Sequence, residues 1–175
     1  MKSLYERTLS KTLSSNNITL MGDSAGGGFA LGLAYKLRDD GVAQPKDIIL
    51  VSPWLDINMD NADISKYDDS EPLLSSWELS KIGEIWANGK ENMNNPYVSP
   101  IFGDIQGLGR ITMFTGTREI FYPDIMKFDK LLTDADIEHT TIVGEGQNHV
   151  YAVMPTVIIP EGKEARKIIN NIINS

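Results

Sequence analysis

The chain has 175 residues, 41% of them apolar and 23% charged, with a net charge of −8. This is the composition of one globular domain large enough to bury a core. The acidic balance excludes a nucleic-acid binder, which needs a basic face to meet phosphates. With no cysteine, disulfides, thiolate metal sites and a cysteine nucleophile are excluded as well. The two histidines, His139 and His149, have no HExxH-type spacing, so neither a metal nor a cofactor is expected.

The first segment, "MKSLYERTLSKTL", has helical spacing broken by charges and carries no apolar h-region. No apolar run reaches the roughly 20 residues needed to span a bilayer. The expectation is a soluble, cytoplasmic protein without a membrane span.

In chain order, a helix over residues 2–14 precedes a short apolar strand, Ile18 to Met21. A second helix runs from about Ala25 to Arg38, with Phe29, Leu33 and Leu37 at helical spacing, and stops at Gly41. The run Ile48 to Val51 predicts a strand buried on both faces. Residues 57–74 are polar and irregular and read as loop. Ser75 or Ser76 can cap a helix reaching about Asn88, with Leu79, Ile82 and Trp86 on one side. A long loop follows, then "RITMFTG" as strand, "YPDIMKFDKLLTDA" as helix and "HTTIVG" as strand. After another loop the last helix spans about Glu161 to Ile173. Strands alternating with helices predict an α/β fold, a mostly parallel sheet between helical layers in a three-layer α/β/α arrangement. Ligand sites of such sheets lie beyond the carboxyl ends of the strands.

One such position carries a motif. "GDSAG", residues 22–26, fits G-x-S-x-G, with a strand leading in and a helix leading out. That context suits a nucleophile elbow built on Gly22, Asp23, Ser24 and Gly26. The tight turn would set Ser24 in a strained conformation, and Gly22 and Gly26 would remove bulk that meets the helix and the neighbouring strand. The Ala25 N–H and the helix dipole would favour a developing oxyanion. A phosphate-binding loop is excluded because Phe29 stands where Lys and Ser/Thr are needed, and a dinucleotide fingerprint fails on spacing. A small-residue turn for close helix–strand packing remains as the alternative.

A nucleophilic serine needs a base. His149 follows the last strand at its carboxyl end, whereas His139 opens that strand on the opposite rim and reads as structural. The order Ser…acid…His and the position after the last strand favour His149 as the base.

The pieces "GDSAGG", "SPWLD", "NPYVSPIFGDIQGL", "ITMFTGTREI" and "GQNHVYAV" together resemble the C-terminal half of an α/β-hydrolase esterase of the hormone-sensitive-lipase-like family. They cover most of residues 18–152. The resemblance implies one partial α/β-hydrolase domain over residues 1–175 and a carboxylesterase acting on short-chain acyl esters of small molecules. It implies that Ser24 attacks the ester, His149 transfers the proton and the Ala25 N–H serves the oxyanion.

Family members place the acid a few residues past the strand "RITMFTG". By register Glu119 takes that place, and Asp124, which helix capping also explains, is the alternative. Asp23 and Asp56 are expected to anchor loops and Trp54 to pack beneath the site. Trp77, Trp86, Phe121 and Tyr122 are candidates for an acyl pocket, with ordinary packing as the alternative at each.

Such esterases carry further oxyanion donors on an "HGGG"-type loop ahead of the elbow, and the 23 residues before Ser24 hold a helix instead. The expectation is a fragment, a truncated product, or a half completed by another chain or by self-association. The alternatives to an esterase are a peptidase of the prolyl-oligopeptidase type and a non-catalytic remnant.

Overall fold

The computed structural model describes residues 1–175 except Ser70, Thr156 and Ile158; the loop expectations at those three positions lie outside the described residues. Four parallel strands form one sheet in the order β1 (Thr19–Asp23), β2 (Asp47–Val51), β3 (Arg110–Gly116), β4 (His139–Gly144). Every residue of β2 is buried. A strand covered on both faces tolerates only such a continuous apolar run, and the sequence "IILV" provides it. Its side chains alternate between two cores. Ile48 and Leu50 face a cluster with Ile111 and Met113, while Ile49 and Val51 face one with Phe114.

Helices cover both faces. On one, α2 (Ala25–Asp39) contributes Leu31, Ala34 and Tyr35, and α4 (Tyr122–Asp134) contributes Ile125, Phe128 and Leu132 at helical spacing. On the other, α5 (Gly162–Ile173) lays Ala165 and Ile169 against Ile49, Val51 and Phe114. The N-terminal helix α1 (Lys2–Thr12) packs Tyr5 against Leu33 and Leu37 of α2. The result is the expected three-layer α/β/α fold.

The short helix α3 (Ser76–Trp86) starts with Ser75 in extended conformation, but no serine side chain caps it. Asp68 does so from the preceding loop, accepting from the Ser76 N–H at 3.0 Å and the Ser76 hydroxyl at 2.7 Å. The expected serine cap is therefore replaced by a carboxylate eight residues upstream. The polar stretches read as loop contain single 3₁₀ turns, at Ile64–Lys66, Lys90–Asn92 and Pro100–Phe102.

Between β1 and α2 the chain reverses within one residue. A Cβ on Gly22 would lie 2.1 Å from the Gly26 carbonyl oxygen, so glycine is required there. Gly26 itself differs from the expectation, since an added Cβ there would meet nothing within 4 Å. The crowding falls instead on Gly28, where a Cβ would sit 2.1 Å from the Trp54 carbonyl oxygen. Replacing Gly22 by Ala should therefore cost about 2–4 kcal/mol in urea unfolding. Gly26→Ala should be neutral or stabilising by less than about 1 kcal/mol, because alanine favours the helix.

Candidate active site

Parallel register brings the carboxyl ends of all four strands to one rim, and each strand delivers one loop there. Ser24 follows β1, Ser52 follows β2, Glu119 follows β3 and His149 follows β4.

Ser24 occupies the turn itself with φ 55° and ψ −125°, outside the regions open to most L-residues. Two backbone bonds to the β2 loop hold it. Its N–H donates to the Val51 carbonyl and its carbonyl accepts from the Trp54 N–H, both at 2.9 Å. The helix α2 begins immediately after, and the Ala25 N–H has no acceptor among the described residues, as expected of the first amides of a helix.

Glu119 is fully buried. Its Oε1 accepts from the Thr115 hydroxyl at 2.5 Å and the Gly116 N–H at 2.9 Å, both at the end of its own strand. Its Oε2 lies 2.7 Å from His149 Nδ1. A carboxylate in this position fixes the ring tautomer, with the proton on Nδ1 and Nε2 free. The two loops that carry these residues are stitched together. Thr117 N–H donates to the Gly144 carbonyl and Arg118 N–H to the Gln147 carbonyl, each at 3.0 Å, and Gly146 N–H donates to the Thr117 hydroxyl at 2.8 Å.

His149 is 5% exposed, with the Phe121 ring edge-on at 5.2 Å, and Phe121 in turn stacks on Trp54 at 6.0 Å. Among the described residues neither the Ser24 hydroxyl nor His149 Nε2 has a hydrogen-bond partner.

The other expected residues fall as follows. Asp124 does not reach His149; its Oδ1 accepts from the Asn61 side chain at 2.8 Å and its Oδ2 is buried without a partner among the described residues. Asp56 does anchor its loop, accepting from the Asn58 backbone and side-chain amides at 2.9 and 2.7 Å. Asp23 is exposed and its side chain makes no hydrogen bond among the described residues, so it anchors nothing. His139 contacts Asp129 and the Ile137 carbonyl on the opposite rim, consistent with a structural role.

An apolar cavity of about 280 Å³ opens beside the elbow, lined by Ala25, Gly26, Phe29, Trp54, Ile57, Ile82, Trp86 and Val98 among others. Of the four aromatics named from the sequence only Trp86 lines it. Trp77 is 69% exposed, Phe121 is packed between Trp54 and His149, and Tyr122 meets Tyr67. Phe29, which takes an edge-on contact from Trp86 at 6.1 Å, was not foreseen as lining. Nor was Ser52, whose buried hydroxyl accepts from the Val150 N–H. The quoted "SPWLD" marks its neighbourhood, but nothing in a serine signals this contact.

Burial lifts Asp124 from the ordinary carboxylate range to about 6, with Asp56 adding like charge, while the Asn61 bond and Lys127 oppose the shift. The folded chain thus holds a proton that the unfolded chain has released, between the ordinary aspartate value of 3.8 and about 6. Stability should fall as pH rises across that window. Asp124→Asn keeps the acceptor for Asn61 and removes the titration. Urea unfolding of the variant from pH 4 to 7 should therefore lose a slope worth on the order of 2 kcal/mol.

Residues 1–153 match the family model described as alpha/beta hydrolase fold. The chain is 28% identical to an acetyl-hydrolase of Streptomyces hygroscopicus over 94% of its own length and 54% of that protein. It is 27% identical to an esterase of Acinetobacter venetianus, covering 77% of this chain and 45% of that one. Among solved structures, an esterase from the bacterial hormone-sensitive lipase family superposes with a TM-score of 0.89 at 26% identity, over 97% of this chain and 57% of the other. The chain spans about half the length of these relatives. A strand–elbow–helix unit on a parallel sheet, matched over most of its length, places the chain in the alpha/beta hydrolase family, among its esterase- and lipase-type members related to hormone-sensitive lipase.

Proposed function

We propose that this chain carries the acyl-transfer centre of a serine carboxylesterase for short-chain acyl esters. Ser24 is the nucleophile, His149 the general base and acid, and Glu119 the residue that orients the imidazole. The 2.7 Å contact between His149 Nδ1 and Glu119 Oε2, on the same rim as a serine in a strained turn, is the observation that supports the reading.

In this mechanism the Ser24 oxygen attacks the ester carbonyl while its proton moves to His149 Nε2. The Nδ1 proton stays in its bond to Glu119, which stabilises the imidazolium without taking the proton. Negative charge on the former carbonyl oxygen is met by the Ala25 N–H at the start of α2. Collapse expels the alcohol, which takes the proton from Nε2 and leaves an acyl-serine. Water repeats the sequence and releases the acid.

The cavity beside Ala25 supports the choice of substrate. It lies at the small end of ligand pockets, typically about 300–1,000 Å³, and its apolar walls suit an acyl chain of a few carbons. The Ala25 N–H is the donor placed for the oxyanion among the described residues, and each such donor is worth about 10²–10³ in turnover. A segment that brings a further backbone N–H to this position should raise the rate.

The test is turnover of p-nitrophenyl acetate, butyrate and decanoate. Acetate and butyrate should be preferred to decanoate. Ser24→Ala should lower turnover by at least ~10³-fold and Glu119→Ala by ~10²–10⁴-fold. Asp124→Asn should remain within about threefold of the parent, in line with its place outside the proton path. Full activity in Ser24→Ala would refute the assignment.

A further inference from the structure

Glu119 secures only the ring end of His149. The backbone that carries the ring needs its own restraint, because Val150, the next residue, sits at φ 54° and ψ 25°. A β-branched side chain is rarely found in the left-handed region and stays there only when its surroundings enforce it. Among the described residues the Val150 N–H has one acceptor, the Ser52 hydroxyl 98 residues away in sequence, at 2.9 Å.

Ser52 is suited to that task. It is fully buried, lies at φ 46°, and is fixed in turn by its own N–H, which donates to the Phe114 carbonyl of β3 at 2.7 Å. Its neighbours Val51 and Trp54 bind the backbone of Ser24 on either side. A single turn therefore sets the position of both the serine and the histidine backbone. Without the hydroxyl, the backbone loses that reference, so the ring's bond to Glu119 opens more often and Nε2 is aligned with Ser24 less of the time.

We propose that Ser52 is a positioning residue for His149, acting through the Val150 amide. The kinetic part of this inference rests on the acyl-transfer reading; the geometric part does not.

The test uses two variants of the full chain, Ser52→Gly and Ser52→Ala. Glycine accepts the positive φ without strain, so it removes the hydroxyl alone. The first readout is the rate at which a fluorophosphonate probe modifies Ser24, followed by mass spectrometry. The second is the NMR signal of the His149 Nδ1 proton, assigned by its loss in His149→Gln, and its exchange rate with water. Both variants should unfold cooperatively in urea, modify Ser24 at least about tenfold more slowly, and exchange the Nδ1 proton several-fold faster. Adding Val150→Gly to Ser52→Gly relieves the strain at 150 and should restore part of the modification rate.

Folded variants with parental proton exchange would overturn the proposal. So would failure of both variants to fold, which would assign Ser52 to the fold as a whole. If the parent chain itself resists the probe, the esterase reading fails, and the proton exchange alone decides the role of Ser52. Faster exchange in the variants then supports it and equal exchange overturns it.

Discussion

Ser24 is clamped by the turn that follows β2. That turn accepts its N–H at Val51 and donates to its carbonyl from Trp54, holding a non-glycine residue at a φ of 55°. Such a conformation is sustained only where the surroundings over-determine it. Gly22 makes room for the reversal, and Gly28 lets α2 close onto the Trp54 carbonyl. The same turn receives the Val150 amide on Ser52 and, through Trp54 and Phe121, supports the face of His149. Loops from β1, β2 and β4 thus share one reference point on a strand that is buried along its whole length.

The acidic residues of this rim are separated by their donors. Glu119 has three, from Thr115, Gly116 and His149, so both its oxygens are partnered although no part of it reaches solvent. Asp124 is buried nearly as deeply and receives one, from Asn61. It therefore favours its protonated form far more than a solvated aspartate does. The extra methylene of glutamate also has a use. It allows Oε1 to turn back onto the end of β3 while Oε2 faces the imidazole, so a single side chain joins strand and base.

Much of this was legible in the sequence, for identifiable reasons. The run Ile48–Val51 can only be a strand covered on both faces, and the periodic apolar residues of α2 and α4 marked helices on a parallel sheet. "GDSAG" marks the strand-to-helix turn at Ser24, and the family resemblance, followed past β3, points to Glu119, which the structure sets against His149. What escaped depends on where the chain folds back on itself. Gly26 looked crowded by analogy with Gly22, but the helix turns its Cα toward open space. Trp77 has the chemistry of a pocket wall, but helical rotation turns it to solvent while Trp86 meets Phe29. Asp68 replaces a serine cap and Ser52 ties down a histidine loop through contacts whose partners are set only by the tertiary fold.

The most direct measurement is a crystal structure of the chain after reaction with a small fluorophosphonate. Phosphorus bonded to Ser24 Oγ, with His149 Nε2 at hydrogen-bond distance from the adduct and Nδ1 still on Glu119 Oε2, is the expected result. An adduct on another residue, or an imidazole turned from Glu119 toward Asp124, would contradict the proposed centre.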